Sequence, residues 1–205
     1  SDSGNLAITG AATFITTANN RSIILDQSGN AFTSTVTMQA GDGSAAFNNI
    51  TFVDSAAVNL HSSAASAGDL FIDAGTNLAV GGDLSITATT GNITQGSELA
   101  VGTTSTFTTS ASNATITLND VDNTFTGALA LNTTGSSGNA TVVNDVGLDF
   151  AASTVGGALS ATATAGNITQ SGALDIEGTT TLVTSGVGAD IDLAANGTGN
   201  AFTGK

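Results

Sequence analysis

Two pairs of acids stand at spacings that chemistry could use: Asp120 with Asp122, and Asp190 with Asp192. Paired carboxylates are the core of glycoside hydrolysis, one protonating the leaving oxygen while the other attacks or activates water. Lyase chemistry on acidic sugars adds a basic group beside the carboxylate or the abstracted proton. Here the basic residues are Arg21 and Lys205, near opposite ends of the sequence, and the single histidine is His61. No Ser-His-Asp or metal-ligand spacing can be assembled around His61, which reads as a turn or surface histidine. The second acid pair brackets Ile191, read as a core residue, so Asp190 and Asp192 fall on one outer strand face. Both pairs therefore read as solvated strand or turn edges. Calcium would need regularly spaced oxygen ligands, and Gly81-Gly82-Asp83-Leu84 lacks the G-G-x-G-x-D pattern of calcium-loaded β-rolls. No catalytic, cofactor-binding or metal-binding residue is assigned, and no cofactor is expected.

Other polar motifs follow from composition. Asn92-Ile93-Thr94 and Asn139-Ala140-Thr141 are glycosylation-like triplets in a chain rich in Asn and Thr, read as unmodified. The runs Thr87/Thr89, Thr104/Thr106 and Thr162/Thr164 have the form of the flat threonine arrays of ice-binding solenoids, but they return only with a long period. An ice-binding array would recur on every coil.

The elements carrying these residues alternate with period 2. Leu70/Ile72, Leu84/Ile86, Leu129/Leu131 and Leu148/Phe150 are aliphatic or aromatic pairs one residue apart, the signature of half-buried strands rather than helices. In Leu174-Asp175-Ile176 the same alternation sends the aliphatics inward and the acid to water. Gly91 and Gly166, each followed by Asn, are turn candidates. Asn92 and Asn167 are expected to form stacked amide ladders in which side chains satisfy one another between coils.

A long repeat organises the chain. Residues 3–33 realign on 96–126 at an offset of 93, and GDLSITATTGNITQ from Gly82 realigns on GALSATATAGNITQ from Gly157 at an offset of 75. The two offsets differ by the length of a short structural unit, which reads as one coil of a solenoid. The expectation is an all-β, right-handed parallel β-helix (β-solenoid) of roughly 11 coils, about 18–19 residues each, on the order of 50 Å long. Residues 1–205 form one continuous solenoid, with long repeats at approximately 3–95, 96–170 and 171–205, the last truncated. Antiparallel hairpins are disfavoured because a meander gives no coil-length insertion. With no recognisable capping element at either end, the chain reads as a segment of a longer array.

Composition fits a narrow core: 26 Gly, 9 Phe, and no Pro, Trp, Tyr or Cys. Absence of proline leaves every ladder donor in place. With 16 acids against 2 bases the net charge is -14, which opposes nucleic acid and anionic lipid as partners. No apolar run approaches the ~20 residues of a membrane-spanning helix. The strings GNITQSGALDIEGTTTL (166–182), GNITQGSELAVGTTSTF (91–107) and NTFTG (123–127) resemble the repeat arrays of filamentous haemagglutinin-like exoproteins and related large bacterial adhesins, over almost the whole chain. That resemblance implies a right-handed parallel β-helix in a secreted or cell-surface fibre used in adhesion or biofilm, with neighbouring coils, copies of itself end to end, or a host or matrix surface as partners. The family's secretion-guiding module carries an Asn-Pro motif, absent here, as is Arg-Gly-Asp, so the segment corresponds to shaft. The expected function is a non-catalytic shaft, extracellular or on the bacterial surface. The alternatives are a self-stacking filament subunit joined by β-augmentation and a polysaccharide-binding or polysaccharide-degrading β-helix.

Overall fold

The computed structural model describes residues 3–16, 23–25, 27, 29–32, 36–40, 50–54, 58–60, 70–71, 78–80, 83–88, 92–95, 98–194 and 199–204. All regular structure among them is strand, and every strand pair but one is parallel. The exception is antiparallel: Gln39 opposite Phe71 and Ala40 opposite Leu70. The chain is a β-solenoid: its period-2 pattern gives the strands, and their parallel stacking from turn to turn gives the coil.

Each turn visits three faces. Leu99–Val101 lies on the first, Ser105–Ser112 on the second and Ile116–Leu118 on the third. Thr124–Phe125, Leu129–Thr134 and Ala140–Asn144 then stack on those three in the same order. The third face is a six-stranded sheet: Val58–Leu60, Ile93–Gln95, Ile116–Leu118, Ala140–Asn144, Leu159–Ala163 and Thr180–Thr184. It counts about six turns, and Ile23–Leu25 and Ala201–Phe202 add a strand at either end of the second-face sheet. At ~4.8 Å per rung these six turns span roughly 30 Å.

The expectation of about 11 coils, each of about 18–19 residues, is therefore corrected. Ala140 pairs with Leu159, Leu84 with Ser105 and Asp175 with Ala201, so the pairing offset varies from turn to turn, 19, 21 and 26 for these three pairs. Three strands and three corners need more chain than the difference between the two repeat offsets supplies. That difference is not one coil. Ile116–Leu118 lies on the third face, whereas its counterparts at 23–25 and 191 pair with strands of the second-face sheet. What the long repeat preserves is local stacking: the pairing of Ala7 with Ala31 recurs, at the offset of 93, as that of Ala100 with Thr124.

Alternation fills the core as the sequence implied. In Leu84–Ala88 the first, third and fifth residues are buried, and Ser105, Phe107 and Thr109 repeat the pattern one turn on. Leu129/Leu131 and Leu148/Phe150 are buried pairs as expected, while Ile72 lies outside the described residues. Ile93, Ile116, Ala140 and Leu159 form one buried column in register. Each buried aliphatic is worth roughly 1.5–3 kcal/mol. Aromatic packing repeats too: Phe14 meets Phe32 edge-on at 5.9 Å, and Phe107 meets Phe125 edge-on at 6.0 Å.

Leu174 and Ile176 are buried and Asp175 is exposed. Leu174→Asp should cost several kcal/mol by burying an unpaired carboxylate and removing aliphatic packing. Asp175→Asn should leave the denaturation midpoint unchanged. Equilibrium denaturation of both variants is the check, and comparable losses would place this strand's faces the other way round.

Candidate functional site

The candidates read from the sequence do not converge. His61, Arg21 and Lys205 lie outside the described residues, as do Gly81, Gly82 and Gly91. Asp120 and Asp122 sit at a corner, where the Asp122 backbone N–H donates to Asp120 Oδ1 at 3.0 Å. Asp190 and Asp192 are both exposed, and the Ala194 N–H donates to Asp192 Oδ1 at 2.9 Å. These are turn contacts, with the acids facing water. Ile191 between them is not the core residue expected: it bridges Ile168 but lies on the last rung, where nothing described covers it. Among the described residues no group of three or more His, Asp or Glu is placed to hold a metal ion.

The recurring polar strings do a different job. The expected amide ladder of Asn92 and Asn167 is corrected, since each side chain caps the backbone of the following turn. Asn92 Oδ1 accepts the Thr115 N–H at 2.8 Å, and Asn167 Oδ1 accepts the Asp190 N–H at 2.9 Å. Asn139, the other glycosylation-like asparagine, likewise accepts the Ala158 N–H at 2.8 Å. Before Asn167, Gly166 holds φ +75°, a left-handed turn conformation open to glycine.

A deeper contact joins the end of GNITQ to the Asn of N-x-F-T-G. Asn123 is fully buried; its Oδ1 accepts the Leu99 N–H at 2.8 Å and Gln95 Nε2 at 2.7 Å. Its Nδ2 donates to Gln95 Oε1 at 2.9 Å, Val143 O at 3.1 Å and Leu118 O at 3.2 Å. The third copy repeats the set. Asn200 Oδ1 accepts the Leu174 N–H at 2.9 Å and Gln170 Nε2 at 3.1 Å, while Asn200 Nδ2 donates to Gln170 Oε1 at 2.7 Å and Leu193 O at 3.2 Å. In the first copy Asn30 Oδ1 accepts the Leu6 N–H at 2.8 Å. The rest of the motif is equally committed. Thr126 Oγ1 donates to Gly102 O at 2.8 Å and Thr203 Oγ1 to Glu177 O at 3.1 Å, and a Cβ at Gly127 would overlap the Thr103 carbonyl. Sequence reasoning singled out both strings without linking them; the signal was a Gln and a following Asn separated by 28 at 95/123 and by 30 at 170/200.

The threonine runs are not a flat array. Thr104 Oγ1 donates to Asp83 Oδ1 at 2.7 Å and Thr164 Oγ1 to Asp145 Oδ1 at 3.1 Å, while Thr89 lies outside the described residues. A different row does recur on five of the six strands of the third face, Thr94, Thr117, Thr141, Ser160 and Thr181 in register, with Asn59 at that position on the first. Its members are 19 to 24 residues apart, an irregular spacing that no fixed coil length in the sequence reveals.

Electrostatics separate two kinds of acid. Hydrogen bonds from Thr103 Oγ1 and Thr104 Oγ1 hold Asp83 below its ordinary range, against a smaller opposing effect of burial. Asp83 therefore contributes stability above the ordinary carboxylate range that is lost as pH falls. Glu98 goes the other way: burial raises its pKa, and the nearby charges of Asp122, Asp120 and Asp145 raise it further. Its ionised form costs stability at neutral pH, a cost that fades as pH falls through the folded pKa.

Glu98→Gln should thus raise the thermal midpoint at pH 7, with the gain shrinking in added salt and disappearing at acidic pH, read by calorimetry across pH. Asn123→Asp should destabilise strongly, because a carboxylate would face the Leu118 and Val143 carbonyls in place of a donor. Partial recovery on acidification, followed by circular dichroism, is the expected signature.

No curated protein and no solved structure matches the chain. Residues 1–39, 57–132 and 137–205 match the family described as repeats of unknown function (DUF5649). The matched stretches take in both the capping asparagines and the Gln–Asn pairs that tie one turn to the next, and by that match the chain belongs to this repeat family.

Proposed function

We propose that the chain is a non-catalytic structural shaft: a stretch of an extracellular or bacterial cell-surface fibre that sets distance and stiffness, with adhesion or biofilm formation as the setting. The observation that carries this reading is the use of the repeated motif. Asn123, Gln95, Thr126 and Gly127, the residues that give the repeat its identity, are spent on holding one turn to the next. A sequence repeating for the sake of stacking serves an object whose relevant property is its length. Resemblance of GNITQ and NTFTG to filamentous haemagglutinin-like arrays supports the same setting. The acidic, base-poor composition adds solubility to a rod with few other charges.

Duplicating residues 96–170 within the chain tests this directly. Electron microscopy or small-angle scattering should show a rod longer by about 15 Å at unchanged width, from some three further turns at ~4.8 Å each. A wider or collapsed particle would contradict a shaft. If instead the unmodified chain releases product from neutral or acidic polysaccharides, and Asp120→Asn with Asp122→Asn abolishes it, the enzymatic reading replaces this one.

A further inference from the structure

The asparagines divide by sequence context, and the structure divides them in the same way. Asn123, Asn144 and Asn200 use both amide atoms to hold turns together, and none has Ser or Thr two residues on. Asn92, Asn113, Asn139 and Asn167 are exposed, and each opens an Asn-x-Thr triplet that ends at Thr94, Thr115, Thr141 or Thr169. The middle residues, Ile93, Ala114, Ala140 and Ile168, are buried, which leaves the flanking asparagine and threonine on the outer side. At each of these asparagines the oxygen is occupied: Oδ1 accepts the backbone N–H of Thr115, Ser137, Ala158 and Asp190 at 2.8, 3.0, 2.8 and 2.9 Å in that order. The Nδ2 of each has no hydrogen-bond partner among the described residues. An amide held by its oxygen keeps its place in the fold, while its nitrogen, in water, is open to substitution.

We propose that Asn92, Asn113, Asn139 and Asn167 are acceptor sites for N-linked sugar, delivered from a diphosphate-activated sugar by a transferase that reads Asn-x-Thr. A bond forms between Nδ2 and the anomeric carbon of the sugar as the bond from that carbon to the diphosphate oxygen breaks. The diphosphate leaves with the electron pair, and one Nδ2 proton passes to a base of the transferase. Only the nitrogen is substituted, so the Oδ1 contact to the following turn survives. Composition alone makes these triplets read as chance; the unpartnered nitrogen at every exposed one is what the sequence does not show. Asn132-Thr133-Thr134 marks the boundary of the inference. Asn132 is half-buried in the strand Leu129–Thr134, its Oδ1 accepts the Thr154 N–H at 3.2 Å and its Nδ2 donates to Thr108 Oγ1 at 3.5 Å, so it is not an acceptor. Asn92, Asn113 and Asn139 all lie on the approach to the third face, where sugars would line one edge of the rod. The inference rests on the geometry of these asparagines and stands or falls separately from the shaft reading.

Mass spectrometry of proteolytic fragments of the protein, isolated from the cells that make it, is the test. The expected result is sugar located on Asn92, Asn113, Asn139 and Asn167 and absent from Asn132. A mass addition of one sugar identifies a nucleoside diphosphate as the donor, and a fixed block of several sugars identifies a lipid diphosphate; either supports the proposal. Asn139→Asp, made in the same cells, should lose the sugar at that position while circular dichroism shows its strand content intact, since the carboxylate keeps the acceptor for the Ala158 N–H. Fragments of unmodified mass at all of these asparagines would overturn the proposal, as would sugar confined to Ser and Thr hydroxyls or sugar on Asn132.

Discussion

The solenoid depends on a side-chain amide buried where two turns meet. A strand leaving a corner presents a backbone N–H before the ladder has begun, and in the interior that donor needs a partner. Asn123 supplies it to Leu99, and Asn200 to Leu174, in each case while exchanging two hydrogen bonds with a glutamine, Gln95 or Gln170. Asn123 is fully buried and makes contacts on three successive turns: Gln95 and Leu99, its own turn at Leu118, and Val143 above. An amide placed there fixes the height of one turn on the next and the point at which the chain turns the corner. Aliphatic columns supply most of the favourable free energy, but they are non-directional and would tolerate a slipped register.

Charge is arranged around that requirement. Stacking at ~4.8 Å brings equivalent residues of adjacent turns within a few ångströms, so acids repeated at one position would repel along the whole rod. The strands of the third face carry no acid from Ile93 to Thr184, and their outer row is hydroxyl-bearing, Thr94 through Thr181. Acids go to corners and to the middle of short strands of the second-face sheet, as Asp149 and Asp175 do. There some are held by hydroxyls, as Asp83 is by Thr103 and Thr104, and others crowd, as around Glu98.

The fold class was legible because period 2 is a local property: Leu174-Asp175-Ile176 and Leu84-x-Ile86 reveal inside and outside without knowledge of their neighbours. Coil length was not legible, because corners of different size make pairing offsets vary between Ala140–Leu159 and Asp175–Ala201. A coil-sized indel between repeat copies could then pass for a turn while moving equivalent strands to another face. The same blindness hid the Gln95–Asn123 pair, whose partners are distant in sequence and adjacent only once the turn is closed. It also made Ile191 look like core: its type and flanks match Ile116, but it lies on the last rung and pairs with a strand of the second-face sheet rather than the third.

Native-state hydrogen exchange at the Leu99 amide tests most directly whether the buried asparagine holds the turns together. If Asn123 Oδ1 is its partner throughout the folded state, Leu99 should exchange as slowly as Ile116, whose amide donates to the Asn139 carbonyl at 2.9 Å. Exchange of Leu99 at the rate of an exposed corner amide, while Ile116 stays protected, would contradict that account.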